Sequence, residues 1–102
     1  MSAKNTFSVP IERTDAWLSE IVGPVNSNRV NARVMVDTEA AFHVHETSDE
    51  FFLVLDGEVE IDVEDETVVL KRGDTYTVVA GLKHRARAKG RAELITVIAE
   101  HC

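Results

Sequence analysis

From residue 29 onward the apolar residues recur at every second position, and this period constrains the fold more than any other feature. In residues 58–64, Val59, Ile61 and Val63 alternate with acidic residues. Successive side chains of a β-strand point to opposite faces of a sheet, so we expect the apolar residues to face a core and the acidic ones to face solvent. Related patterns predict further strands over residues 29–37, 41–45, 50–55, 67–71, 76–79, 84–88 and 92–100.

Turn residues separate these segments at short intervals. Asp56-Gly57 is a pair typical of a tight β-hairpin, and Gly73-Asp74 and Lys89-Gly90 predict further turns. Additional turns are predicted at Thr38-Glu39, Asp65-Glu66 and Gly81. Many short strands joined by turns are typical of all-β domains, so we expect a sandwich or barrel of antiparallel sheets.

Residues 1–28 follow a different pattern and are expected to form an N-terminal segment, with the barrel over residues 29–102. Thr14 can cap a helix, Gly23-Pro24 can end it, and the residues between them carry an apolar stripe at helical spacing. The stripe consists of Trp17, Leu18, Ile21 and Val22. We therefore predict one short amphipathic helix that packs on the domain or on a second subunit.

Length and charge restrict the classes of partner. The 102 residues suit a single domain, and 11 Lys and Arg against 18 Asp and Glu give a formal charge of −7. This balance argues against nucleic acid or an anionic membrane as a partner, because both are bound through basic patches. Cys102 is the one cysteine, which excludes an intramolecular disulfide. Without a signal-peptide pattern or an apolar membrane span, we expect a cytoplasmic protein.

Three histidines and one glutamate form the constellation that suggests chemistry. His43 and His45 are one residue apart on a predicted strand, so their imidazoles share a face. Glu50 begins the next predicted strand and His84 begins a later one. If the strands close into a barrel, the four side chains can converge in its mouth. Three nitrogens and one carboxylate oxygen suit a divalent transition metal ion, whereas each residue by itself is more simply explained as structural.

The same residues resemble the two motifs of the cupin superfamily. His43-Val44-His45, Glu50 and Gly57 fill the His, Glu and Gly positions of the first motif. Gly73-Asp74, Gly81 and His84 fill the Gly and His positions of the second. The fifteen residues between Gly57 and Gly73 are typical of small single-domain bacterial cupins, some of which are labelled mannose-6-phosphate isomerase-like. Together the motifs cover about residues 37–88.

This resemblance implies a jelly-roll barrel, also described as a double-stranded β-helix, built from antiparallel strands. It implies that His43, His45, Glu50 and His84 bind one metal ion inside the barrel, and that the chain forms a homodimer, often through sheet edges and N-terminal segments. Strand parity predicts that several further residues share the inward face with the ligands. These are Ala41, Phe52, Val54, Ala86 and Ala88. They offer no evident clamp for a phosphate group.

Three positions depart from the family pattern. Asp37 stands where the first motif usually begins with Gly, Val79 stands where the second usually has Pro, and Ala88 stands where it usually ends with Asn. None of these positions is a metal ligand in the family, so the expected metal site is unaffected. The missing Asn weakens any inference about chemistry beyond the metal.

Two functions are compatible with these features. The first is a small metal-dependent enzyme of isomerase or dioxygenase type that acts on an unidentified small molecule, and the second is a non-catalytic module that binds a small ligand or a metal. No separate catalytic residue is evident; Tyr76 is a candidate hydrogen-bond donor, although packing in a sheet is its simpler role. Zinc, iron, manganese, nickel and copper all accept this donor set, so the metal is not identified.

Overall fold

The computed structural model describes residues 17–102, and the regular structure in this range is entirely β-strand. The seven strands of this range are β1 (Trp17–Val25), β2 (Asn28–Glu39), β3 (Glu50–Asp56), β4 (Glu58–Val63), β5 (Glu66–Lys71), β6 (Thr75–Val78) and β7 (His84–Ala99). All of their pairings are antiparallel. The predicted all-β antiparallel architecture is therefore confirmed.

Strand β7 connects the two halves of the fold. The sheet order is β1-β2-β7-β3-β6, while β4 pairs with β5 on one side and with β7 on the other. The first residues of β7 face β4, with Val63 opposite His84, and its later residues lie between β2 and β3, with Leu94 opposite both Arg33 and Val54. Strand β7 thus shares hydrogen bonds with three neighbouring strands, and the two halves of the fold that it joins enclose a common core.

The core contains the apolar residues that the alternation in β4 predicts. Val59, Ile61 and Val63 are buried, and they pack with Phe52 and Leu94 in one cluster. Burying large aliphatic and aromatic side chains stabilises such a domain by about 1.5–3 kcal/mol for each one. Of the predicted inward-facing residues, Phe52, Val54, Ala86 and Ala88 are in this cluster, whereas Ala41 is exposed.

Asp62 departs from the predicted acidic outer face because two arginines cover it. Its carboxylate accepts hydrogen bonds from Nε of Arg87 and from Nε of Arg85, both at 2.8 Å, and from the hydroxyl of Thr67 at 2.7 Å. The Arg87 hydrogen bond, followed by that of Arg85, holds the pKa of Asp62 far below its usual range. Asp62 therefore stays ionised and links β4 to the first part of β7.

The predicted N-terminal helix is wrong for residues 17–22, which lie in β1. This strand forms antiparallel pairs with β2, from Trp17 opposite Met35 to Val25 opposite Asn28. A helix of this length is marginal in water, whereas an edge strand gains hydrogen bonds from a partner that is already in place. Thr14, the predicted cap, lies outside the described residues. No helix that is long and apolar enough to cross a membrane occurs in residues 17–102.

Several predicted turns also differ from the structure. Asp56-Gly57 does not form a hairpin, because β3 and β4 are not paired with each other. Lys89-Gly90 is a bend within β7 rather than a break, and the Gly90 amide donates to Oδ1 of Asp37, at a bulge in β2. Thr38-Glu39 continues β2. Residues 41–45 do not form a full strand, although His43 makes an isolated bridge to His84. Hydrogen bonding between strands that are distant in the sequence therefore determines where the chain turns.

Gly57 occupies a corner where a side chain has no space. Its φ of +78° is unfavourable for other residues, and a Cβ there would lie 2.4 Å from the carbonyl oxygen of Arg91 and 2.9 Å from Cα of Ala92. Gly73 has a similar φ of +85° with nothing within 4 Å. Gly73→Ala therefore measures the conformational cost without a steric clash.

We expect Gly57→Ala to lower the free energy of unfolding by more than about 2 kcal/mol. Gly73→Ala should lower it by only about 1 kcal/mol. Urea denaturation of both variants and the parent protein in the presence of a chelator measures the difference. Equal losses in the two variants would contradict the close packing of Gly57 on β7.

Candidate metal centre

Backbone pairing brings the two histidine segments together. The amide of His43 donates to the carbonyl of His84 and the amide of His84 donates to the carbonyl of His43, both at 2.9 Å. The amide of Gly81 donates to the carbonyl of His45, also at 2.9 Å. These bonds tie the segment before β3 to the start of β7. Glu50 is the first residue of β3, and it pairs with Ile98 of β7.

The four predicted side chains converge. One ligand atom from each of His43, His45, Glu50 and His84 lies within 4.8 Å of every other. Oε1 of Glu50 is 3.1 Å from Nε2 of His84 and 3.5 Å from Nε2 of His45. Two ligands bound about 2.1 Å from one metal ion lie about 3.0–3.4 Å apart, so these separations suit a shared ion. The cluster can hold a metal ion after small adjustments of the side chains.

Second hydrogen bonds orient two of the imidazoles. Nδ1 of His43 lies 2.9 Å from the carbonyl oxygen of Ala41, and Nδ1 of His84 lies 2.9 Å from that of Leu82. A carbonyl oxygen only accepts, so Nδ1 carries the hydrogen in both rings and Nε2 is left as the available ligand atom. Histidine ligands of metal ions are commonly held in this way, which fixes both the tautomer and the direction of the ring.

The contact between His84 and Glu50 needs a proton or a metal ion between the two facing atoms. With its hydrogen on Nδ1, neutral His84 presents a lone pair at Nε2, and this atom faces a carboxylate oxygen that also has only lone pairs. Both side chains are buried, with 1% and 3% of their surface exposed. Two facing acceptors in a poorly hydrated site repel each other unless a proton or a metal ion lies between them. The donor set therefore fits a bound metal ion.

The pKa shifts show how these groups share protons when no metal ion is bound. Burial lowers the pKa of His84, but its hydrogen bonds to Glu50 and to the Leu82 carbonyl raise it by more, so the net pKa is above the ordinary value. Burial raises the pKa of Glu50, but the hydrogen bond with His84 and the charge of Arg33 leave it lowered overall. Burial also lowers the pKa of His45. Near neutral pH Glu50 is thus ionised and His45 neutral, the forms that bind metals, whereas a metal ion competes with a proton for Nε2 of His84.

A small cavity of about 170 Å³ is lined by three of the four side chains, His43, His45 and Glu50, and its walls include residues that the sequence pattern did not single out. Arg29 and Arg33 of β2 line it, together with Phe52 and Ala86. Nη1 of Arg33 is 3.7 Å from Oε2 of Glu50. The alternation of residues along β2 could have identified Arg33. It lies on the same face of the strand as Met35, a core residue, so its side chain points inward.

Other features of the chain lie apart from this cluster. Tyr76 is half-buried and packs against the core, and it is not among the residues lining the 170 Å³ cavity. A larger cavity of about 670 Å³ is lined by Asp37, Glu58 and Lys89 among others, and it shares no lining residue with the smaller one. Cavity volume therefore does not identify the functional site. The site is identified by the convergence of imidazoles and a carboxylate.

Taken together, the fold and the cluster define a small all-β barrel protein with a candidate three-histidine, one-glutamate metal site. The family profile described as "Cupin domain" matches residues 31–98. The chain belongs to the cupin family.

Known relatives support this assignment but do not name an activity. The chain is 33% identical over 99 residues to "Uncharacterized protein YdbB" of Bacillus subtilis (strain 168), and the match covers 96% of this chain and 85% of that protein. Its fold resembles that of the TT1209 protein from Thermus thermophilus, with a TM-score of 0.82, 24% identity and 97% of each chain covered. A cupin-2 domain protein of Shewanella frigidimarina has a TM-score of 0.74 and 25% identity, covering 79% and 78%.

The cluster predicts that one ligand substitution removes the metal. We expect His45→Ala to weaken binding by at least the 10- to 100-fold typical of lost outer-shell partners, because a direct ligand is removed. Elemental analysis of protein dialysed against a fixed metal concentration measures the ion bound per chain. His101→Ala is the matched control, because His101 contacts Thr47 and is not part of the cluster. Full metal content in His45→Ala would refute the assigned site.

Proposed function

We propose that this cupin is a small metal-dependent enzyme that acts on a small molecule, with one divalent transition metal ion held by His43, His45, Glu50 and His84. The observation that carries the proposal is the convergence of three imidazoles and the Glu50 carboxylate, whose ligand atoms lie within 4.8 Å of one another, beside a cavity that can admit a small molecule. The reaction class is isomerisation or dioxygenation, since both suit a metal ion with free coordination positions.

The chain's own residues have defined roles in this proposal. The three imidazoles and Glu50 bind the ion, and the carbonyls of Ala41 and Leu82 keep two of the rings in the metal-binding tautomer. Phe52 and Ala86 give the cavity apolar walls that limit access of water. A bound ion supplies Lewis acidity and two further coordination positions if it is six-coordinate. Glu50 is the one candidate base among the residues described at the site.

The alternative is a non-catalytic module that binds a small ligand or a metal ion. A cavity of about 170 Å³ suits a small bound ligand or a metal ion as well as it suits a small substrate. The two functions differ in one measurable property. An enzyme needs coordination positions that exchange with solvent, whereas an ion fully ligated by protein is structural.

Manganese substitution can distinguish the two functions. We expect Mn²⁺ bound to the parent protein to shorten the relaxation times of water protons strongly, because at least one coordinated water exchanges with solvent. The measurement is water-proton relaxation at increasing protein concentration and fixed Mn²⁺. His101→Ala should behave like the parent protein. A bound Mn²⁺ ion that shows no exchangeable water would contradict the enzyme and support the binding module.

We also propose that the chain forms a homodimer through the outer face of its larger sheet. Across β2, β7 and β3 the outward side chains form two apolar rows. These rows are Val30, Val97 and Phe51, and Ala32, Ile95 and Leu53. They are absent from the core cluster, and all except the buried Ala32 are half-buried within one chain. A second copy would bury this surface, which helps a short chain whose own core is small.

Light scattering at micromolar concentration tests the dimer. We expect the parent protein to have twice the mass of one chain and Leu53→Glu to have the mass of one chain, because the substitution buries an unpaired charge in the interface. Val69→Glu is the matched control, since Val69 on β5 is 45% exposed and belongs to the other half of the fold. A parent protein with the mass of one chain would contradict the homodimer.

A further inference from the structure

Two arginines of one strand enter the same small cavity as the histidines. Arg29 and Arg33 lie four residues apart on β2, so both side chains project from the same face. Both line the 170 Å³ cavity, together with His43, His45 and Glu50. Burial is the main cause that lowers the pKa of Arg33; the charge of Glu50 raises it, and the nearby charge of Arg29 lowers it further.

The cavity is positively charged on a protein that is negative overall. Its lining contains two guanidinium groups, whereas Glu50 is the one carboxylate among the described residues that form it. The whole chain has a formal charge of −7. Glu50 lies 3.7 Å from Nη1 of Arg33, and among the described lining residues guanidinium groups outnumber carboxylates by two to one. A divalent ion in the cluster would make the excess positive charge larger. An anion is the ligand that such a cavity favours.

Arg29 has a buried donor that needs an acceptor. Its Nε is buried and has no hydrogen-bond partner within the part of the chain that the structure describes. Its Nη2 donates to the backbone oxygen of Cys102 at 2.5 Å, so the side chain is held in place. A buried donor without a partner costs about 1–3 kcal/mol, and such groups in native proteins generally have a reason. An incoming anionic oxygen would provide the missing acceptor.

We propose that this cavity binds a small organic carboxylate next to the metal site, with Arg29 and Arg33 as the anion-binding residues. This inference rests on the proposed function and names its substrate class. The guanidinium group pairs with a carboxylate through two parallel hydrogen bonds. The 170 Å³ cavity has room for a small carboxylate of about six non-hydrogen atoms.

Calorimetric titration with pyruvate tests the proposal, because pyruvate is a carboxylate of this size. The titration uses the full chain with Zn²⁺ added and again with the metal removed. We expect pyruvate to bind in both forms, more tightly with Zn²⁺, and hydroxyacetone, a neutral analogue, to bind at least tenfold more weakly. Arg33→Gln should weaken pyruvate binding by at least about tenfold, which is the effect of one lost charge-assisted hydrogen bond. Arg33→Lys should retain part of the affinity.

Controls separate this proposal from the metal site. Arg72→Gln removes an exposed positive charge in the turn before β6 and should leave the affinity for pyruvate unchanged. Arg29→Gln is a second cavity variant, in case Arg33→Gln does not fold. Metal content is measured in each variant, and we expect Arg33→Gln to keep its Zn²⁺. Loss of pyruvate binding with retained Zn²⁺ supports the proposal.

Three results would overturn the proposal. The first is a parent protein that binds Zn²⁺ but not pyruvate, which leaves the metal site standing. The second is equal affinity for pyruvate in the parent, Arg29→Gln and Arg33→Gln proteins. The third is inorganic phosphate binding more tightly than pyruvate, which would assign the cavity to a different anion. Failure of the parent protein to bind Zn²⁺ would refute the proposed function instead, and arginine-dependent binding of pyruvate by the metal-free chain would still support the carboxylate site.

Discussion

The hydrogen bonding of β7 is the constraint on which both the barrel and the site depend. Its first residues pair with β4 and its later residues lie between β2 and β3, so a single strand belongs to both halves of the fold. The backbone bridge between His43 and His84 extends this pairing to the segment before β3. The same strand therefore closes the core and places His84 against Glu50. A site assembled by sheet hydrogen bonds is rigid, because moving its ligands would require breaking the ladder that holds the barrel together.

The second feature of the site is its arrangement of charged and hydrogen-bonding groups. His84 and Glu50 are buried, and their contact needs a proton or a metal ion between the two atoms. Beside them, Arg29 and Arg33 bring two permanent positive charges into the same cavity. Arg33 lies 3.7 Å from Glu50 and Arg29 donates to Cys102, and the proposed carboxylate ligand would add an acceptor for the buried Nε of Arg29. The pair Asp62 and Arg87 shows the contrasting case, in which opposite charges satisfy each other and serve the fold.

Sequence reasoning predicted local features well and long-range features less well. The alternation in β4 identified its buried residues, because one face of that strand packs on the core. The helix prediction for residues 17–22 was wrong, since pairing with β2 outweighs a weak helical pattern. Asp56-Gly57 has the composition of a hairpin, yet Gly57 turns the chain between strands that pair with other partners. Arg33 was missed because a charged residue in an alternating strand is normally assigned to the solvent face.

The donor chemistry and strand positions of His43, His45, Glu50 and His84 predicted a metal site, and the resemblance of these residues to the cupin motifs predicted the barrel. Only the tertiary structure decided what surrounds that site. It turned the Arg29 and Arg33 face of β2 inward and opposed the lone pairs of His84 and Glu50. These outcomes depend on the register between distant strands, and register is determined by how the whole sheet packs rather than by any local run of residues.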